Sequence, residues 1–347
     1  MDWCQGVVEA LAEYRGDTAP AADRPDELAN CRAAAHQFLA LDPTLAGVVE
    51  THRSGLFGKP EVTGGVFERA IALQALAGEG IDLGPARRAA FALADPAGWR
   101  YFPGHPELPV DGDCVGVMMQ LAAGTPEAGH PAMARGEALL LRADNQDAEG
   151  LFQTWLADPP AATRASIDAV WAGEVCPGAA ANALLGLWRH APGRLDGVVA
   201  PRAVALARRL LGPEAPPSVF YGAVGVDFMA ARALLALRAE RAGDAAWQAE
   251  LDAGLRAVGD RLRRRLRLSG RLGNVLETAL AAWVLVRLGR LPERATVRRA
   301  LVDAQEADGG YPAMDFYRTV PHPVTTWYGS RGLTTALVLQ ALRALEA

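Results

Sequence analysis

The sequence predicts an all-α protein, an (α/α)6 barrel of six inner and six outer helices. Three observations carry that prediction. Ala, Leu and Arg dominate the 347 residues, and all three are favourable in helices, while β-branched residues are scattered and alternating strand-like runs are hard to find. A unit recurs along the chain, in which a Gly/Pro-rich loop, often with an aromatic, opens a strongly apolar helix and a more polar, Arg-rich helix follows. The two helices of each unit also call for different places, because a helix apolar all round is buried and one with a charged face lies at the periphery.

Six openings can be placed in order: FGKPEVTGGVFERAIALQALA from Phe57, LPVDGDCVGVMMQLAAG from Leu108, GEVCPGAAANALLGLW from Gly173, SVFYGAVGVDFMAARALLAL from Ser218, GRLGNVLETALAAWVLVRLG from Gly270 and TTWYGSRGLTTALVLQALRAL from Thr325. Their spacing of 45 to 65 residues fits the periods of repeat architectures and leaves room for two helices each. LETALAAWVLV, in the helix beginning near Asn274, and TTALVLQALRAL, in the helix beginning near Val324, are apolar around most of their circumference. PRAVALARRLL and ERATVRRALVDAQ carry Arg and acids on one side. Residues 57–347 therefore read as inner and outer pairs, and 1–56 as a segment supplying an outer helix around Glu27 to Leu41. A solenoid of the same units is the competing arrangement. The richest loop, GPEAPPS from Gly212, is too short to separate two folds, so 1–347 reads as one domain.

A formal net charge of −5 with interspersed signs gives no field for nucleic acid. The four cysteines, Cys4, Cys31, Cys114 and Cys176, lie far apart without a CxxC pair, so reduced thiols in a cytoplasm are expected and no metal ribbon is. The start, MDWCQGVVEALAEYRGD, lacks the basic and apolar regions of a signal peptide, and no stretch of about 18 apolar residues follows. The expected location is cytoplasmic. The run DRLRRRLRLSGR from Asp260 sets leucines on one side and arginines around the rest; it reads as an outer helix with a solvated Arg face, or as a surface for peripheral contact with an anionic bilayer.

The chemistry concentrates at Asp111-Gly112-Asp113-Cys114, at the start of the second inner helix, ahead of an otherwise apolar run. Capping the helix N-terminus accounts for Asp111 and less well for Asp113. Two carboxyls this close at the mouth of an apolar cavity resist double ionisation, so one keeps a proton and can serve as a general acid. Capping and catalysis both remain open on spacing alone.

LPVDGDCVG resembles the DxDD motif of class II terpene cyclases of the squalene-hopene cyclase type, in which the middle Asp protonates an alkene or epoxide. NQDAEGLFQTW from Asn145 and AQEADGGYPA from Ala304 resemble the QxxDGxW repeat of that superfamily, and YGSRGLTTALVLQAL is similar to its last inner helix. The length matches the monodomain cyclases that fold prenylated aromatic acids into meroterpenoids. The resemblance implies an α/α barrel, an isoprenoid or prenylated aromatic substrate and no cofactor, with Asp113 as the acid and Asp111 beside it. Cys114 stands where the motif has its last Asp. A thiol offers a weak donor and no charge.

Protonating a trisubstituted alkene makes a tertiary cation that water would quench, so such chemistry needs aromatic faces and exclusion of solvent. Trp99, Tyr101, Phe102, Phe152, Trp155, Phe220, Tyr221, Tyr311, Phe316, Tyr317, Trp327 and Tyr328 sit mostly at loop-to-inner-helix junctions. Parallel inner helices would gather them at one end. Trp155 and Tyr311 read as junction packing; Phe220, Tyr221, Phe316, Tyr317, Trp327, Tyr328 and Trp171 are the candidate substrate lining. His105 is placed to hydrogen-bond the acid or to be solvated. Glu68 and Arg69, with Glu277, put charges into apolar helices, as an internal Glu to Arg pair or as contacts to a polar substrate head. Arg331, opening the sixth inner helix, is the candidate for an anionic head.

Two rivals stand beside a cyclase. Prenyltransferases of the same barrel hold zinc through Asp, Cys and His, but Asp113 and Cys114 are adjacent and point about 100° apart, and DFYRT from Asp315 puts Arg318 where that ligand motif would have His. A non-catalytic isoprenoid carrier or interaction protein is the other, for which Cys114 is the argument. The P-loop, GxGxxG and GxSxG motifs are absent, as is a DDxxD cluster for magnesium-bound diphosphate, which leaves acid initiation.

Overall fold

The computed structural model describes residues 25–41, 48–54, 61–96, 98–102, 105, 108–158, 163–171, 175–319 and 325–347. Cys4 and the FGKP of the first opening lie outside them. The inner helices are α2 (Phe67–Ala75), α4 (Gly112–Ala122), α7 (Pro177–His190), α9 (Ala223–Glu240), α11 (Val275–Arg287) and α13 (Arg331–Glu346). Each packs on the next, and α13 returns to α2, which closes the ring and excludes the open solenoid. Outside lie α1 (Pro25–Leu41), α3 (Gly84–Phe91), α5 (Pro131–Leu140), α8 (Ala200–Arg209), α10 (Ala245–Arg265) and α12 (Arg294–Val302), with a short extra helix α6 (Arg164–Trp171). The fold is all-α, a barrel of six inner and six outer helices.

The placement follows from side-chain distribution. In α4, α7 and α13 nearly every residue is buried, whereas α8 buries Ala203, Leu206 and Ala207 and turns Arg208 outward. The arginines of the 260–271 run are held mostly by the protein itself. Arg261 is buried against Asp227 on α9, with its guanidinium also donating to the carbonyls of Leu210 and Gly212, while Arg263 pairs with Glu293 and Arg265 with Glu277. Among the described residues no helix is long and apolar enough to cross a membrane.

The sequence reading missed the strands. β1 (Val48–Ser54), β2 (Glu61–Gly64), β5 (Tyr317–Thr319) and β6 (Thr325–Tyr328) form an antiparallel sheet in the order β2-β1-β6-β5, and β3 (Val110–Asp111) pairs with β4 (Trp155–Leu156). The sixth inner helix therefore starts at Arg331 and not near Val324, because TTWY before it is a strand capped off by Ser330, whose hydroxyl accepts the Leu333 N–H.

Helices α4 and α7 touch backbone to backbone. A Cβ on Gly116 would lie 2.5 Å from the amide nitrogen of Ala183, and one on Gly186 would collide with the Gly116 carbonyl. This crossing sets α7 close enough for its polar residues to reach α4. Gly186→Ala is expected to cost about 2 kcal/mol through overpacking, read as a lower urea midpoint at unchanged slope.

Candidate active site

The start of α4 is pinned from three directions. The Asp111 N–H donates to the Trp99 carbonyl at 3.1 Å, the Gly112 N–H to the Thr154 carbonyl at 2.7 Å, and Asp111 faces Trp155 across the β3–β4 pair. Asp111 is the N-cap, extended at φ −96° and ψ 116°, and its Oδ1 accepts the Asp113 N–H at 2.9 Å. Capping thus accounts for Asp111. Asp113, two residues further in and still within the first turn, makes no capping bond of its own. Its Oδ1 accepts from the Asn182 amide at 2.8 Å, and its Oδ2 accepts from the Tyr221 hydroxyl. Both carboxyls are 1 % exposed.

Burial raises the affinity of both carboxyls for a proton. Asp111 is raised further by the charge of Asp113, against the hydrogen bonds it accepts. Asp113 is pulled back down by Tyr221, by Asn182 and by the positive charge of Arg232. Groups so close titrate as a pair, and the pair retains a proton at neutral pH. Cys114 donates its thiol hydrogen to Asp111 Oδ2 at 3.1 Å, and burial pushes that thiol well above its ordinary range, so it stays a donor. The departure from the motif therefore bears on Asp111, not on Asp113.

Glu68, at the start of neighbouring α2, is a third buried carboxyl. It does not pair with Arg69. The Tyr101 hydroxyl donates to its Oε1, its Oε2 has no partner, and burial lifts it to about 7. Glu277 is partly exposed and pairs with Arg265 at 3.7 Å.

Above the dyad lies a cluster of rings. Tyr317 stacks on Tyr101 at 4.5 Å and on Phe220 at 5.4 Å between centroids, and stands edge-on to Tyr221 at 5.7 Å. Phe67 stacks on Phe316 at 6.0 Å, and Tyr328 faces Tyr317 across the β5–β6 register. The Arg318 N–H donates to the Phe220 carbonyl at 2.7 Å, tying the strand to the loop before α9. The aromatics are thus a packed cover, where the sequence led us to expect a spaced cavity lining. The Tyr317 hydroxyl is buried with no hydrogen-bond partner.

The remaining candidates fall elsewhere. His105 is exposed and meets the edge of the group through Phe102, at 6.2 Å. The Trp327 ring lies under Arg318 at 5.8 Å. Trp171 ends α6, and its side chain lies outside the described residues. Trp99 packs on Phe91 and His130. The sequence reading named neither Asn182 nor Phe67; a single amide inside PGAAANALLGLW was the only signal for the former. Among the described residues no group of three or more His, Cys, Asp or Glu is placed to hold a metal ion.

Arg331 needs correction. It is gripped by Asp308 at 2.6 Å and by Glu306, and lies over the Phe38 ring at 4.6 Å. The other QxxDGxW-like loop is built identically, with Arg209 gripped by Asp147 at 2.8 Å and Glu149 at 2.9 Å. In each loop a glutamine side chain bonds backbone carbonyl or arginine, a glycine takes positive φ (Gly150 at 81°, Gly309 at 87°), and the ring two residues later, Phe152 or Tyr311, is buried. Arg331 is the cation of a structural clamp, which leaves its guanidinium committed to two carboxylates rather than to a substrate head.

No protein-family model matches the sequence, and no curated protein matches it. Solved structures do match. The type II terpene cyclase MstE from Scytonema, without ligand, superposes with a TM-score of 0.68 at 19 % identity, covering 93 % of this chain and 99 % of that one. An MstE variant in complex with its substrate, geranylgeranyl dihydroxybenzoate, gives 0.66 at 18 % identity, over 92 % and 97 %. A protein from Actinoplanes gives 0.63 at 20 % identity, over 92 % and 100 %. The ring of helices and the agreement over nearly the full length of both chains identify the fold of this protein as that of the monodomain class II terpene cyclases.

Proposed function

We propose that this chain is a class II terpene cyclase-type isomerase that protonates an alkene or epoxide of a prenylated substrate and closes rings through a carbocation. Asp113 is the acid. The observation that carries this reading is the environment of its carboxylate. A carboxyl can hand a proton to a hydrocarbon only if the anion left behind is stabilised, and here that anion receives hydrogen bonds from Asn182 and Tyr221 inside a dry, ring-covered site. The like charge of Asp113 raises Asp111, and this repulsion keeps a proton on the pair. The aromatic cover supplies π faces for the cation and keeps water out.

The fold relative bound to geranylgeranyl dihydroxybenzoate makes prenylated aromatic acids the first substrates to try. The test is incubation with farnesyl and geranylgeranyl arenes, free diphosphates and squalene, followed by chromatography for products of unchanged mass. Conversion supports the cyclase. Saturable binding of a prenylated arene without conversion favours a carrier of the same fold.

Tyr221→Phe keeps the ring and removes one donor from the Asp113 anion. Turnover is expected to fall about 10- to 100-fold, matching the roughly 1.5–3 kcal/mol of a hydrogen bond to a charged group, with KM little changed. A raised KM with kcat unchanged would instead assign Tyr221 to substrate binding.

A further inference from the structure

A proton donated by Asp113 must leave the product again if an alkene is to form, and the dyad cannot readily take it back while a carbocation drifts from it. Two features on the same helices bear on where it goes. The first is Glu68, fully buried, fixed by the Tyr101 hydroxyl through one oxygen and unpartnered at the other. Tyr101 stacks on Tyr317 within the cover of the dyad, and the charges of Glu68 and Asp113 act on one another, so the three carboxyls lie beneath the same aromatic cover. A buried carboxylate oxygen with no donor is costly and therefore a ready proton acceptor.

The second feature lies deeper. Arg232 on α9 donates to Gln74 Oε1 on α2 and to Gln120 Oε1 on α4 at 3.1 Å, while Gln74 donates to the Val117 carbonyl and Gln120 to the Asn182 carbonyl, both at 2.9 Å. Gln120 is seven residues past Asp113, about 10 Å along the helix axis. This polar layer ties four inner helices together, α2, α4, α7 and α9, and its guanidinium, lowered to about 10 by burial and by Arg189, remains charged at neutral pH with no carboxylate partner among the described residues. A carbocation is repelled from that level and attracted to the level of Glu68 and the dyad.

We infer that Glu68 takes the final proton, so that the cascade ends close to where it begins and leaves a cyclised alkene rather than an alcohol. The inference rests on the proposed cyclase reading. In bonds, the Asp113 O–H breaks as a C–H forms on the terminal alkene carbon; a neighbouring alkene supplies the electron pair of the new ring C–C bond. A C–H beside the resulting cation then breaks, its electrons form the C=C, and Glu68 Oε2 takes the proton. One proton enters and one leaves, so the product is an isomer of the substrate.

The groups around Glu68 are Tyr101, Asp113 and Cys114 on α4, and Arg69 beside it in sequence, with Tyr317 on β5 stacked on Tyr101; the charged residues of α13 are engaged elsewhere, Arg331 with Asp308, Arg343 with Glu79 and Glu346 with Arg32. The test is the pH profile of alkene formation with product analysis. The parent should show a rising limb with a midpoint near 7 that belongs to Glu68 ionising. In Glu68→Gln that limb should vanish, with alkene formation down at least tenfold or replaced by the water adduct, 18 mass units heavier. Tyr101→Phe, which removes the bond that favours the carboxylate, should move the limb to higher pH. The same limb and the same alkene mixture in Glu68→Gln would overturn the role of Glu68 while leaving Asp113 as the acid; undiminished product from Asp113→Asn would instead remove the cyclase reading.

Discussion

Asp113→Asn is expected to lower turnover by a factor of about 10²–10⁴, the range contributed by a positioned general acid, while raising the melting temperature above neutral pH. The two halves of this expectation have one cause. Asparagine has nearly the shape of aspartate and can still accept from Asn182 or meet the Tyr221 oxygen, so the α4–α7 crossing keeps its contacts. It brings no acidic proton, and it also ends the repulsion that Asp113 exerts on Asp111 and removes a buried charge. Activity would thus be lost from a protein that is more stable, as expected where function requires a strained site. The measurement is mass-neutral conversion of a prenylated arene beside thermal unfolding at pH 5 and pH 8. A variant that keeps converting substrate removes Asp113 from the acid's role. Loss of conversion with a lower melting temperature at both pH values would mean that the carboxylate is a structural hydrogen-bond acceptor.

How much of this was legible in the sequence depends on whether each interaction is local. The inner helices were readable because all-round apolarity is a property of one helix. Asp111 and Asp113 stood out because two carboxylates ahead of an apolar run are conspicuous without any partner. The strands were not readable, since VVETHRS is short and pairs on one side with TTWY at the far end of the chain, and no local pattern records that pairing. Asn182 is in the same position, because its meeting with Asp113, 69 residues away, depends on a helix crossing that two glycines permit. Arg331 was misread for a related reason. Its position at the head of an inner helix suggested the chamber, but the two acids that hold it lie 23 and 25 residues upstream, within the very repeat that the sequence had displayed. Glu68 was visible as a charge in an apolar helix, yet its expected partner was the adjacent arginine. Neighbours on a helix point about 100° apart, and Tyr101 took that place.

Stability should decline from pH 5 to pH 8, against the usual trend in which ion-paired or hydrogen-bonded carboxylates make acid the destabilising direction. Glu68 is raised from 4.5 to about 7. Below about 4.5 it is neutral in both folded and unfolded chains, and its contribution is fully present. Between the two values the unfolded chain has released the proton and the folded one holds it, so stability falls as pH rises, and above about 7 the contribution is gone. The shift corresponds to about 3 kcal/mol. Asp111 and Asp113 are also raised, so they act in the same direction. Glu68→Gln keeps an acceptor for the Tyr101 hydroxyl without a titrating group, and urea unfolding across this range should show a decline smaller than the parent's by about 3 kcal/mol. A parent whose stability is flat or rises between pH 5 and pH 8 would mean that water reaches all three carboxyls. The aromatic cover would then not seal the chamber, and a cation formed there would be quenched before a ring could close.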